Sequence, residues 1–208
     1  FRSCASPGAR SHASSVRSRD DDPVAAALER AAALIAKDIR ALAASNPVVL
    51  IDGRSGAGKT SLARRVVDRW PVAGRVQLIA LDSIYPGRDG LDAGVERSLE
   101  WILRPHGRGY LGTWRRWDWD RATEAESHAV DPALGVLIEG CGILTPATAA
   151  IADVRIWVES AEPGRKKRAL DRDGDAYRPH WDRWAEQETR HIERDDPRAL
   201  ATRIIDVP

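Results

Sequence analysis

The chain has 208 residues, 43% hydrophobic and 30% charged, which is typical of a globular domain that buries its own core without disulfides or metal. Its net charge of +1 provides no field for gripping nucleic acid, and no apolar run approaches the roughly 18 residues that span a bilayer. Its two cysteines are far apart and form neither a disulfide framework nor a zinc pattern, so we expect a cytoplasmic protein with no nucleic-acid or membrane partner.

The first 22 residues differ in composition from the rest of the chain. Residues 1–22 are rich in serine and arginine and show no apolar periodicity, so we predict a disordered tail followed by one domain over residues 23–208. The first helix is expected to begin at Asp22 and Pro23, because aspartate is a good N-cap and proline suits the first helical position. It is expected to end before Pro47.

Strand and helix patterns alternate along the remaining sequence. Short apolar runs bounded by turn residues predict five strands: Val48–Ile51, Arg75–Leu81, Val136–Ile138, Val154–Val158 and Arg203–Val207. Helical spacing is seen after the first strand, over Ala93–Leu103, over Thr145–Ala152 and over the charged segment 163–193. Strands that alternate with helices favour βαβ units, hence a parallel sheet covered on both faces.

A glycine-rich motif follows the first strand. Residues 53–60 match G-x-x-x-x-G-K-[ST] in full, between a predicted strand and a predicted helix. In such a loop the glycines let main-chain N–H groups face phosphate oxygens, Lys59 reaches the β- and γ-phosphates and the Thr60 hydroxyl binds Mg²⁺. The predicted nucleotide-binding set is Gly53, Arg54, Ser55, Gly56, Ala57, Gly58, Lys59, Thr60 and Ser61, with ATP and Mg²⁺ as cofactors.

The second predicted strand delivers Asp82 at its carboxyl end, where ligands bind in open parallel sheets. A carboxylate there faces the γ-phosphate, and it either accepts the proton of an acceptor hydroxyl or helps to hold Mg²⁺. An aspartate that only caps the next loop remains the alternative.

Aromatic and charged residues crowd the segment 110–120. Trp114, Trp117 and Asp118 are our candidates for the acceptor site, because indole faces stack on bases or sugars and a carboxylate binds hydroxyls. For each tryptophan alone, packing of a loop against the core is the alternative.

Together the motifs resemble a family. Residues 51–60, the D-x-x-Y motif of Asp82–Tyr85 and the sequence Leu137–Gly140 look like the uridine kinase-like branch of P-loop nucleoside and nucleotide kinases, with matching order over about residues 47–208. The resemblance implies a three-layer α/β P-loop NTPase fold with a parallel sheet and a helical lid. It implies that Asp82 is the general base, that Tyr85 helps to form the acceptor pocket and that Glu139 lies near the metal.

The resemblance also implies a lid over residues 163–193 with arginines that close over the phosphates. Arg165, Arg168 and Arg172 lie at spacings of three and four and share one helical face, although a solvated basic face is the alternative in so arginine-rich a chain. We predict catalytic roles for Arg168 and Arg172 and a substrate contact for Arg165.

The sequence departs from uridine kinases where the acceptor should bind. Those enzymes carry a segment with histidine and tyrosine around the pyrimidine, whereas residues 110–120 here are dominated by tryptophan, arginine and aspartate. We therefore expect an ATP-dependent kinase of a small hydroxyl-bearing molecule, with a nucleoside as the leading acceptor. A sugar, cofactor precursor or antibiotic is the second possibility, and an ATPase that drives a partner is the third; a homo-oligomer is compatible with each.

Overall fold

The structure, a computed structural model, describes residues 22–173 and 178–208, without the side chains of residues 172 and 173. The predicted disordered tail therefore lies, apart from Asp22, outside the described residues. Helix α1 (Pro23–Ala41) begins as expected: the Asp22 side chain accepts a hydrogen bond from the Val24 N–H at 3.0 Å, and Pro23 opens the first turn. Within the described ranges, no helix is both long and apolar enough to cross a membrane.

A five-stranded parallel sheet forms the centre of the molecule. Its strands are β1 (Val48–Gly53), β2 (Gln77–Ala80), β5 (Val136–Glu139), β6 (Val154–Glu159) and β7 (Arg203–Asp206), and their spatial order is β2-β5-β1-β6-β7. Strand β1 is central and buried along its whole length. The α/β fold with a parallel sheet, predicted from alternating strand and helix patterns, is confirmed.

Helices cover both faces of the sheet and give three layers. Helices α1 and α2 (Lys59–Asp68) pack on one face, in a core that includes Ile35, Leu62 and Ile156. The other face carries α3 (Leu91–Ser98), a π-helical stretch (Leu99–Leu103), α4 (Arg104–Gly107), α5 (Pro146–Ala149) and α8 (Pro197–Leu200). Leu50 and Ile138 point into this second core.

An antiparallel hairpin was not predicted. Strands β3 (Gly112–Asp118) and β4 (Thr123–Val130) form a separate two-stranded sheet on the side of the second core. The pairing register shifts between Arg115 and Trp117, and such an irregularity breaks the alternation of inward and outward side chains by which a strand is recognised. Because the alternation is broken, the sequence of this segment looks like that of a loop rich in aromatic residues.

The segment predicted as one helical lid forms two helices with different surroundings. Helix α6 (Glu162–Asp173) is followed by a short 3₁₀ turn (Arg178–His180) and α7 (Trp181–Asp195). Helix α7 buries Trp184, Gln187, Glu188 and His191, so it is a packed part of the body. Helix α6 carries the three arginines that were predicted for the lid.

Candidate active site

The phosphate loop connects β1 to α2 with a left-handed backbone at several glycines. Gly56 and Gly58 have φ values of +77° and +102°, which residues with a Cβ rarely adopt. A Cβ on Gly56 would lie 2.1 Å from the carbonyl oxygen of Arg165, so the loop also needs glycine for its close contact with α6. Ala57 is fully buried in the core beneath the loop, while Ser61 is exposed on the first turn of α2.

Lys59 lies inside the loop and is largely buried. Its Nζ donates to the Arg54 carbonyl at 3.1 Å and to the Cys141 sulfur at 3.2 Å. Burial alone lowers the pKa of Lys59, but the surrounding negative groups, including the carboxylates of Glu139 and Glu188, raise it above its ordinary value overall. The ammonium is therefore charged at neutral pH and held within the glycine-rich loop.

Thr60 and Glu139 meet at the carboxyl end of the central strands. The Thr60 hydroxyl donates to Oε1 of Glu139 at 2.8 Å, and Glu139 is almost completely buried at the end of β5. One hydroxyl and one carboxylate are the kind of oxygen ligands that Mg²⁺ uses when substrate phosphates and water complete its shell. In the described ranges, no group of three or more His, Cys, Asp or Glu side chains could hold a metal.

Asp82 follows β2 at the same edge of the sheet. Ala80 pairs with Glu139 in the parallel register, so Asp82, two residues further on, emerges beside the Thr60–Glu139 pair. Its side chain is exposed, and its carbonyl accepts a hydrogen bond from the indole of Trp119 at 2.8 Å. Sequence reasoning missed Trp119, although it belongs to the same aromatic cluster as the residues it selected.

Tyr85 lies below this edge and not on its surface. Its ring is fully buried, and its hydroxyl donates to the Cys141 carbonyl at 2.7 Å. The ring of Trp184 on α7 packs edge-to-face against it, with 4.9 Å between the ring centroids. Burial raises the pKa of the Tyr85 phenol well above its ordinary value. We therefore assign Tyr85 to positioning of the turn after Asp82, in place of the predicted direct contact with the acceptor.

The three candidates from the tryptophan segment occupy different environments. Trp114 is 9% exposed and stacks on His128 at 4.6 Å, so the alternative of core packing applies to it. Asp118 accepts N–H bonds from Asp120 and Arg121 at the hairpin tip, and the bond from Arg121 is the main reason that the pKa of its carboxyl is lowered. These bonds point to turn formation in place of the predicted hydroxyl binding.

Trp117 is partly exposed. Its ring reaches towards Gly87, in the segment that follows Asp82.

The described lid arginines contact the phosphate loop itself. Arg165 donates to the Ser55 carbonyl at 3.0 Å, and Arg168 donates to the Gly56 carbonyl at 2.9 Å. Arg165 is 5% exposed, and burial lowers its pKa despite the nearby charge of Glu188. Both arginines thus fasten α6 to the loop, and a direct role of Arg165 with substrate is replaced by this anchoring role. The side chain of Arg172 lies outside the described part of the chain.

A buried polar chain supports the loop from below, and sequence reasoning did not identify it. Asp52 accepts N–H bonds from Gly53, Gly142 and Leu144 at 2.6–2.9 Å, and its Oδ2 lies 3.1 Å from Nε2 of His191. On the other side of the imidazole, Nδ1 lies 3.0 Å from Asp195. A histidine on a predicted helix carries no sequence signal for such a contact with a residue 139 positions away.

Comparisons with known proteins agree with this architecture. No protein-family model matches the chain, and no curated protein matches it significantly. A possible uridine kinase from Bacillus stearothermophilus has a similar structure, with a TM-score of 0.61 and 19% identity over 86% of this chain and 99% of that one. A candidate fructose transport system kinase from Silicibacter sp. TM1040 is also similar, with a TM-score of 0.56 and 17% identity over 85% of this chain and 98% of that one. The chain therefore has the fold of the uridine kinase-like P-loop kinases.

Proposed function

We propose that the protein is a kinase that transfers the γ-phosphoryl group of ATP to a hydroxyl of a small molecule. The observation that carries this proposal is the meeting of Thr60 and Glu139 at 2.8 Å, next to the charged Lys59 and at the sheet edge where Asp82 emerges. A phosphate loop, an oxygen pair suited to Mg²⁺ and an exposed carboxylate are the parts that phosphoryl transfer requires.

Each part has a role in the proposed reaction. Main-chain N–H groups within residues 56–60 and the Lys59 ammonium bind the triphosphate, and the first turn of α2 adds its positive dipole. Mg²⁺, bound to Thr60 and Glu139, would offset charge on the phosphate oxygens. Asp82 accepts the proton of the acceptor hydroxyl; the oxygen attacks the γ-phosphorus, the bond from this phosphorus to the β–γ bridging oxygen breaks, and ADP leaves. Arg165 and Arg168 keep α6 on the loop, and Arg172 is the candidate to offset charge on the transferring group.

A nucleoside is the acceptor class that we favour. The D-x-x-Y motif of Asp82–Tyr85 resembles that of uridine kinases, and a possible uridine kinase shares the fold. A sugar is the second candidate, because a candidate fructose transport system kinase shares the fold as well. Both classes offer a hydroxyl, so the chemistry at Asp82 is the same.

The test is a screen of acceptors with purified protein and MgATP. Nucleosides, fructose and other sugars are added singly, ADP formation is followed, and the product is weighed by mass spectrometry. We expect ADP to form at a substantial rate with only one acceptor class, together with an equal amount of singly phosphorylated acceptor. Release of inorganic phosphate at the same rate with no acceptor would contradict transfer and favour an ATPase.

A further inference from the structure

A carboxylate from α7 contacts the first half of the phosphate loop. Glu188 is 3% exposed, and its Oε1 accepts the main-chain N–H of Ser55 at 2.7 Å. The same oxygen accepts the thiol of Cys141 at 3.2 Å, and Oε2 accepts Nε of Arg54 at 3.2 Å. Ser55 and Arg54 belong to the glycine-rich motif, so one side chain of a distant helix fixes the conformation of its first half.

The bonds of Arg54 strengthen this attachment. Its guanidinium also donates to the Thr189 hydroxyl at 2.7 Å and to the Ala185 carbonyl at 3.2 Å, both on α7. Bonds from a main-chain amide, a guanidinium and a thiol compensate the cost of removing a carboxylate from water. The thiol is available as a donor at neutral pH, because burial raises the pKa of Cys141 to about 12.

The position of this carboxylate matters for nucleotide binding. The loop is built to receive a highly negative triphosphate, yet it already faces a buried negative charge close to Lys59. In a buried environment such charges are weakly screened, so Glu188 repels the triphosphate while it holds the loop in shape. The Cys141 sulfur lies 3.2 Å from both Lys59 Nζ and Glu188 Oε1, so it links the two charged groups.

Gln187, the residue before Glu188, connects α7 to the segment that follows Asp82. Gln187 is 7% exposed; its side chain donates to the Arg88 carbonyl at 2.8 Å and accepts the Leu91 N–H at 3.3 Å. The segment between Asp82 and α3 is thus fixed by the residue adjacent to the one that fixes the phosphate loop. Helix α7 therefore fixes the position of the phosphate loop relative to residues 83–90, the segment that follows Asp82.

We propose that Glu188 is a positioning residue that aligns residues 54–55 of the phosphate loop for transfer, and that its charge weakens triphosphate binding. The same carboxylate thereby raises turnover and lowers nucleotide affinity. This inference rests on the proposed kinase function.

The test compares Glu188→Gln with Glu186→Gln. Glu186 is exposed on the same helix, so its variant makes the same change in net charge away from the loop. For Glu188→Gln we expect a MgATP Kd about five- to tenfold lower by calorimetry and a kcat at least about tenfold lower in the acceptor assay. Glu186→Gln should leave both constants within about twofold of wild type.

The outcomes separate this inference from the function on which it rests. A residue that only stabilises the fold would, on substitution, weaken binding and turnover together, so weaker or unchanged MgATP binding by Glu188→Gln overturns the inference. Absence of MgATP binding by the wild type overturns the proposed function itself. Thermal unfolding checks each variant. Should Glu188→Gln not fold, Glu188→Asp keeps the charge and shortens the side chain; it should lower kcat at least about tenfold without tightening MgATP binding, and an unchanged kcat contradicts the proposal.

Discussion

The phosphate loop and the β3–β4 hairpin border the same site but are built in different ways. The loop is set by backbone conformation at Gly56 and Gly58 and is enclosed by α6 and α7. The hairpin presents side chains at its tip, where Trp119 is 40% exposed; its indole N–H donates to the Asp82 carbonyl, and the Arg88 guanidinium lies over its ring, 5.1 Å from the centroid. In the proposed kinase, phosphate binding would therefore depend on the buried main chain, whereas acceptor choice would depend on exposed side chains.

Asp82 lies between the phosphate loop and the hairpin, and its substitution should change kcat more than any other change proposed here. Asp82→Asn keeps the shape of the side chain but removes the base, so kcat should fall by about 10²- to 10⁴-fold. The MgATP Kd should stay within about twofold, because the main chain and Lys59 bind the triphosphate. Steady-state kinetics and calorimetry provide the two numbers.

The matched control is Asp68→Asn, which removes an exposed carboxylate at the end of α2. It should leave kcat unchanged. Full activity of Asp82→Asn would remove Asp82 from the mechanism and leave the loop without an identified base.

The second prediction concerns the close contact within the phosphate region. Gly56→Ala places a Cβ 2.1 Å from the Arg165 carbonyl at a φ of +77°, and we expect a loss of about 2–4 kcal/mol in the free energy of unfolding. Gly109→Ala is the control, because Gly109 has a φ of +75° with no atom within 4 Å of the added Cβ.

The control should lose only about 1 kcal/mol, the cost of a left-handed backbone. Urea unfolding measures both variants. Equal losses would mean that α6 does not rest on the loop as described, and the enclosed character of the phosphate region would have to be revised.

The third prediction concerns the support beneath the loop. Burial alone lowers the pKa of His191, but Asp52 and Asp195 raise it above its ordinary value overall. A pKa raised in the folded state means that the stabilising effect is fully present below about pH 6.5 and is lost as pH rises through the folded-state pKa.

We therefore expect the stability difference between wild type and His191→Gln to be larger at pH 6 than at pH 9. Urea unfolding at the two pH values measures it. A difference independent of pH would show that the imidazole contributes as a neutral group and that its contacts with Asp52 and Asp195 do not depend on its charge.

The smallest expected effect concerns the hairpin. Trp119→Phe keeps an aromatic face but removes the N–H that donates to the Asp82 carbonyl, so the acceptor KM should rise by about three- to tenfold. The MgATP Kd should not change. If instead MgATP binding weakens and the acceptor KM does not change, the assignment of phosphate binding to the loop and of acceptor binding to the hairpin is wrong.

The sequence was sufficient to predict the parallel sheet and the place of the glycine-rich loop between a strand and a helix, because both depend on short local patterns. An apolar run predicts a buried strand, and eight consecutive residues specify the loop. The first helix was likewise predicted from Asp22 and Pro23. These features need no knowledge of distant contacts.

The remaining features depend on contacts between distant residues. Glu188 meets Ser55 across 133 positions, and His191 meets Asp52 across 139, so neither partner is visible in a local pattern. The hairpin escaped prediction because its register shifts at Arg115–Trp117. Tyr85 and Trp114 are residue types that often line a binding site for a small molecule. Both are buried in the structure, and burial depends on distant residues that pack over them.

The most direct test of the central claim is calorimetry of MgATP binding to the wild type and to Lys59→Ala. We predict one binding site in the wild type and an affinity at least about tenfold lower in the variant, because a buried ammonium that faces the triphosphate is lost. A wild type that does not bind MgATP, or a variant that binds it equally well, would contradict the assignment of residues 53–60 as a phosphate site.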